Sequence, residues 1–187
     1  RFGDLDIPCG PGDTSSYPEK SDQGVTRDKI VVTTIADPGG PRPGLNQGMF
    51  DSAQAFVDWC NGLGGINGRQ IELKLRDAKI LEYKERVLEA CDDSFALVGG
   101  LGVFDEVGAQ DQVDCGLVNV AGAAVSGQQA EADLTWQPLP NPQGAFPVGG
   151  ARWIAENYPE AITRAANIRS KVPVTEVQAM RQTAAYE

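Results

Sequence analysis

The chain has 187 residues, 41% of them hydrophobic, and a formal net charge of −10. That is a globular composition, with room for one sizeable core or for one lobe and part of another. An acidic chain without clustered Lys and Arg is a poor partner for nucleic acid, the absence of histidine removes His-based triads and the commonest metal ligand, and no apolar run reaches the roughly 18 residues of a membrane span.

Nothing at the start reads as a signal peptide. Arg1 is not an initiating methionine, so the expectation is a trimmed product. Residues 1–24 are polar, rich in Pro and Gly and without periodicity, which reads as a flexible leader. Its acidic residues Asp4, Asp6 and Asp13 lack the spacing of a calcium loop. Residues 29–35 read as a strand. The loop that follows runs from Asp37 to Gly44 and holds Gly40 and Pro41. It lacks the Lys-Ser/Thr of a phosphate loop. It lies beyond the carboxyl end of a strand, where ligands bind in parallel sheets, so ligand contact and a rigid surface turn stand as equal readings. Over residues 46–63, Met49, Phe50, Ala53, Phe56, Val57 and Cys60 recur at helical spacing. Gly64-Gly65-Ile66-Asn67-Gly68-Arg69 comes next: the first glycines end the helix, and Asn67-Gly68 make a tight turn. Residues 71–75 then alternate as a strand does, which completes a β-α-β unit.

Residues 81–91 read as a helix with Tyr83, Val87, Ala90 and Cys91 on one face, and Glu82 and Arg86 as an exposed i,i+4 pair. Residues 95–99 are an unbroken apolar run, fit for a central parallel strand. They open into Gly100-Leu101-Gly102-Val103-Phe104-Asp105. A dinucleotide fingerprint fails there, because Asp105 stands where the third glycine is needed. A helix to about Val113 and a strand over 117–120 follow, ending in Ala121-Gly122-Ala123-Ala124-Val125-Ser126. Residues 134–142 are extended and proline-punctuated, a linker. A helix over 145–157 with Trp153 and Ile154 inward, a strand over 161–168 and a helix over 174–186 complete the chain. The closest approach to an acid/base pair is Asp92-Asp93, which reads as a solvated helix end; Asp37 and Asp77 both follow strands. The four cysteines Cys9, Cys60, Cys91 and Cys115 lack Cys-x-x-Cys spacing, which argues against zinc. Their even number fits two disulfides in an oxidising compartment, with buried free thiols as the alternative.

One longer pattern is specific: a strand, a Gly/Pro loop, a helix ending Asp58-Trp59-Cys60-Asn61, then Gly-Gly-Ile-Asn-Gly-Arg, then a strand ending Arg76-Asp77. From about Gly24 to the chain end this resembles the periplasmic binding proteins that serve ABC transporters of branched-chain amino acids and related solutes. The resemblance implies an α/β fold, a doubly wound parallel sheet of flavodoxin-like order. The first ligand-binding lobe would span residues 25–136, a crossover linker 137–142 and the incomplete start of a second lobe 143–187, in a truncated chain. It implies an extracytoplasmic solute-binding protein, secreted and anchored to the cell envelope as a lipoprotein. That protein delivers a small organic solute to an ABC permease by clamp closure, with no catalytic residue, metal or cofactor. Carried over by position, ligand contacts fall on Gly100, Leu101, Gly102, Val103 and Phe104, and on Gly122, Ala123, Ala124 and Val125. Where the family carries small hydroxyl residues, this chain has Val103, Phe104 and Val125, with Ser126 adjacent to the last. That departure points away from an ordinary amino acid and toward a more apolar or aromatic solute; core packing of Phe104 is the alternative. Four cysteines allow three pairings. The doubly wound order makes Cys91–Cys115 the reasonable one, leaving Cys9–Cys60 to fix the leader onto the first helix. Other functional classes on such a fold are an enzyme and a ligand-sensing receptor ectodomain. Exposed sheet edges of a partial chain also invite self-association.

Overall fold

The computed structural model describes residues 4, 6–138, 148–164, 166–169 and 173–185. Strand β1 (Lys20–Asp22) forms a hairpin with β2 (Val25–Thr26), which touches β3 (Lys29–Ala36) antiparallel at Val25↔Ile30. Helix α1 (Gln47–Gly62) then leads to β4 (Gln70–Asp77), parallel to β3 from Lys29↔Gln70 to Ala36↔Asp77. Helix α2 (Tyr83–Asp93) carries the chain across β3 to β5 (Ala96–Val98). A 3-10 turn (Asp105–Val107) and α3 (Ala109–Asp114) lead to β6 (Val118–Val120), and α4 (Gly127–Glu131) to β7 (Thr135–Trp136). The parallel part of the sheet thus runs β4-β3-β5-β6-β7, the doubly wound order expected.

The two faces of β3 divide the core because side chains alternate along a strand. On one face Ile35 joins Ala78, Tyr83, Val87, Ala90, Leu97 and Leu117 under α2 and α3. On the other, Val57, Cys60, Ile71 and Cys9 cluster beneath α1, with Val32 and Leu73 against them. Of the helical stripe read for α1, Phe50, Val57 and Cys60 are buried, while Phe56 is 40% exposed. Phe56 lines an apolar groove of about 340 Å³ beside α1, together with Val32, Met49, Ala53, Leu73 and Val98.

The glycine turn is a junction for three segments. Gly65 has φ +78, and a Cβ there would lie 2.0 Å from the Arg69 carbonyl oxygen, so no other residue fits without moving the backbone. Asn61, at the end of α1, pairs its side-chain amide with the edge of β4: Nδ2 donates to the Ile71 carbonyl (2.9 Å), and the Ile71 N–H donates to Oδ1 (2.8 Å). Arg69 sits with its guanidinium 3.9 Å from the centre of the Tyr17 ring and donates from Nε to the Thr26 carbonyl (2.9 Å).

Those contacts correct the reading of the leader as a tether. The Gly10 N–H donates to the Gly65 carbonyl (2.7 Å), the Gly68 N–H returns to the Gly10 carbonyl (3.2 Å), and Lys20–Asp22 enters the sheet. Composition argued for disorder, but backbone pairing and the Cys9–Cys60 disulfide (Cα–Cα 5.2 Å) hold this arm down. The second disulfide, Cys91–Cys115 (Cα–Cα 5.9 Å), joins the ends of α2 and α3. Both expected pairings are therefore present.

Beyond β6 the sequence reading needs further corrections. Thr135–Trp136 is a strand of the sheet, paired with Asn119–Val120, although prolines at 138 and 140 read as a linker. Residues 139–142 of that linker lie outside the described residues. Helix α5 (Gly149–Asn157) forms as expected, residues 145–147 lying outside the described set, but Trp153 is exposed and meets Tyr158 with ring centroids 5.7 Å apart. The strand expected over 161–168 is absent among the described residues: Pro159, favourable at the start of a helix, opens α6 (Pro159–Ile162), and 166–169 are irregular. Helix α7 (Pro173–Ala184) follows.

Candidate functional site

The loops after β3, β5 and β6 meet at the carboxyl edge of the sheet, the usual ligand-binding edge in parallel α/β folds. Two buried carboxylates tie them together. Asp37, at the end of β3, is 0% exposed. Its Oδ1 accepts the N–H of Ile80 in the loop after β4 (2.7 Å), and its Oδ2 accepts the N–H of Val103 in the loop after β5 (2.8 Å). Asp105 is 1% exposed and accepts the N–H groups of Val125 (2.6 Å) and Ser126 (2.9 Å) in the loop after β6. Burial pushes the Asp105 carboxyl above the usual carboxylate range, against the hydrogen bonds from Ser126 and Val125 that favour its charged form. Burial also pushes the Tyr83 hydroxyl upward, with Asp105 and Asp37 adding repulsion.

Around these staples the expected ligand residues take up different positions. Gly100 places its carbonyl to accept the N–H groups of Gly122 (2.9 Å) and Ala123 (3.3 Å), and the Leu101 N–H donates to the Ile35 carbonyl (3.0 Å). Gly102 is buried under Tyr83: a Cβ at Gly102 would lie 2.3 Å from the ring. Val103 and Phe104 are half-buried, and Phe104 belongs to neither core cluster. Gly40 is half-buried against Lys79 and Ile80, while Pro41 is exposed. Ala124 is buried, its N–H 3.4 Å from the Gln137 Oε1 acceptor. Behind the loop after β6, Gln129 donates to Gln112 (3.0 Å) and to Thr135 (3.0 Å), which fixes α4 against β7.

Val125 is the one expected ligand residue lining the cavity shared with the C-terminal segment. That cavity, of about 380 Å³, lies between Val125 and Asn167, Ile168, Arg169, Gln178 and Gln182. Asn167 is positioned by hydrogen bonds from Nδ2 to the Ala179 carbonyl (2.8 Å) and Thr183 Oγ1 (3.1 Å), and Arg169 pairs with Glu176 (3.2 Å). Sequence reasoning did not single out Asp105, Asn167, Gln178 or Gln182. Nothing in periodicity or spacing marks a residue whose role is fixed by contacts made across loops.

Of the acidic residues singled out in the sequence, Asp37, Asp77 and Asp93 accept hydrogen bonds within the fold. Asp37 is held by two backbone N–H groups, and Asp77 accepts the Lys79 N–H (2.9 Å) in a local turn. Asp93 is no free helix end: it takes Arg76 (2.7 Å), Lys74 (2.7 Å) and Ser94 (2.8 Å). Burial pushes its carboxyl up, but those bonds outweigh burial and hold it at about 2. Among the described residues no group of acidic or cysteine side chains has the geometry of a metal site, and no helix is long and apolar enough to cross a membrane.

This architecture is the fold of the substrate-binding proteins of ABC transporters. The LivJ branched-chain amino acid transporter substrate-binding protein of Streptococcus pneumoniae, solved in complex with isoleucine, matches with TM-score 0.64 and 14% identity over 86% of this chain and 47% of that one. A fatty acid ABC transporter substrate-binding protein from Thermomonospora curvata matches with TM-score 0.69 and 16% identity over 89% and 43%. An ABC transporter substrate-binding protein of Desulfitobacterium hafniense, in complex with Leu, matches with TM-score 0.56 and 16% identity over 85% and 48%. The chain therefore spans less than half the length of these structures. No family model matches the sequence, and no curated protein matches it.

Proposed function

We propose that the chain is part of an extracytoplasmic solute-binding protein that traps a small organic solute and delivers it to an ABC permease. Residues 25–136 are the first lobe, 137–142 the crossover and 143–187 the start of a second lobe. The carrying observation is the convergence at one sheet edge: stapled loops after β3, β5 and β6, with Val125 facing a cavity of about 380 Å³ across from Asn167, Gln178 and Gln182. Ligand contact falls to Gly40, Pro41, residues 100–104 and residues 122–125, with binding driven by clamp closure over an apolar site carrying a few polar groups. The two disulfides suit an oxidising, extracytoplasmic setting, and anchoring to the envelope belongs to the same reading.

The test is a thermal-shift screen on the full-length protein with branched-chain amino acids, aromatic acids, short amides and apolar carboxylates. A ligand at 100 times its dissociation constant stabilises by about 2.7 kcal/mol. A saturable shift supports the proposal. No shift with any of them, joined to turnover of an ester or phosphate substrate, overturns it in favour of an enzyme.

A further inference from the structure

We infer that the end of the solute held by this lobe is uncharged, an amide or hydrocarbon group and not a carboxylate. The inference rests on the solute-binding reading and concerns the chemistry of that same edge.

An α/β lobe holds an anion with outward-pointing backbone N–H groups, helix N-termini or a cation. At this edge six N–H groups turn inward. Val103 donates to Asp37, and Val125 and Ser126 donate to Asp105. Leu101 donates to Ile35, and Gly122 and Ala123 donate to Gly100. Ser126 caps α4, its Oγ accepting the Gln129 N–H at 3.1 Å. For Val103, Val125 and Ser126 the protein has thus supplied its own carboxylates where a bound carboxylate would find donors.

Charge adds to the same preference. Asp37 and Asp105 lie fully buried just beneath these loops. A third negative group brought to the edge meets repulsion through a low-dielectric interior. Neither loop, 99–104 or 121–126, contains a Lys or Arg; the cations near the loop after β3 are Arg42, which is exposed, and Lys79, which pairs with Glu82. Across the cavity Arg169 is paired with Glu176, and Gln178 and Gln182 offer amides. An ammonium group feels the opposite pull from the same two charges, but both are buried and occupied by N–H groups, so it finds no carboxylate to pair with at contact distance to offset its lost hydration. Uncharged hydrogen-bonding or apolar groups remain as the match for Val125 and the facing amides.

The experiment uses the full-length protein and matched pairs of the same carbon skeleton, each tested as carboxylate and as primary amide by thermal shift and titration calorimetry: isovalerate with isovaleramide, 4-methylvalerate with 4-methylvaleramide, and benzoate with benzamide, alongside leucine. The expected result is tighter binding of the amide by about tenfold or more in the pair that binds. A carboxylate that binds as tightly as its amide, or leucine that binds more tightly than either, overturns the inference and leaves the solute-binding reading standing. No binding by any member of the pairs or of the wider screen overturns that reading, and the inference with it.

Discussion

Replacing Asp37 by Asn tests whether the candidate edge is built around its buried carboxylate. The substitution preserves shape but sets an NH₂ group against an N–H donor, either that of Ile80 (2.7 Å from Oδ1) or that of Val103 (2.8 Å from Oδ2). One hydrogen bond to a charged group is lost, at about 1.5–3 kcal/mol, and the other falls to neutral strength, at about 1 kcal/mol. The neutral amide recovers part of the desolvation cost of the buried charge. The expected net loss is therefore about 2 kcal/mol, roughly 4–8 °C in Tm for a chain of this size. The local effect is larger than the global one, because Ile80 has φ +74, a backbone state that β-branched residues rarely hold without support. Urea unfolding at neutral pH gives the stability change, and amide hydrogen exchange at Ile80 and Val103 reports the loops. A variant within about 0.5 kcal/mol of the native protein, with unchanged protection at both amides, refutes the staple.

The disulfides and the ion cluster give two further expectations. Chain entropy assigns Cys9–Cys60, which spans 51 residues, about 4 kcal/mol, and Cys91–Cys115, which spans 24, about 3.5 kcal/mol. Paired Cys→Ser variants compared by urea unfolding are expected to lose stability in that order, and a larger loss at 91/115 contradicts it. Asp93 is held at about 2 against 3.8 for an unperturbed aspartate. Its contribution is therefore complete above pH 4 and lost as pH falls toward 2. Asp93→Asn flattens the acid limb of a Tm-against-pH curve over that window, and an unchanged limb contradicts the assignment.

The periodic parts of this fold were legible in the residues, while the disulfide pairing followed only from the fold that the resemblance implied. Alternation over residues 71–75, the stripe on α1 and the glycine turn all report local conformation, which sequence records directly. The order of strands carried the cysteine pairing with it. What escaped was set by contacts distant in sequence. Thr135–Trp136 is too short to show a period and becomes a strand only because β6 offers it an edge. The leader is held by Gly65, Gly68 and Arg69, far along the chain. Pro159 favours the opening turn of a helix, which ended the strand reading at 161–168. At the candidate site the positions carried over by resemblance converge on one edge, yet several of their N–H groups serve Asp37 and Asp105. No pattern of residue types reveals which way an amide points.

The Cys9–Cys60 bond also decides how the molecule bears force. Cys60 lies near the end of α1, at the edge of the sheet opposite the candidate site. A pull on the chain before Cys9 bypasses the hairpin and the first residues of β3. It enters through the disulfide into the base of α1, where Val57, Cys60 and Ile71 pack. Tension there does not peel β3 from its neighbours. A pull on the leader would therefore act on the molecule from beneath, with the edge formed by the loops after β3, β5 and β6 facing the other way.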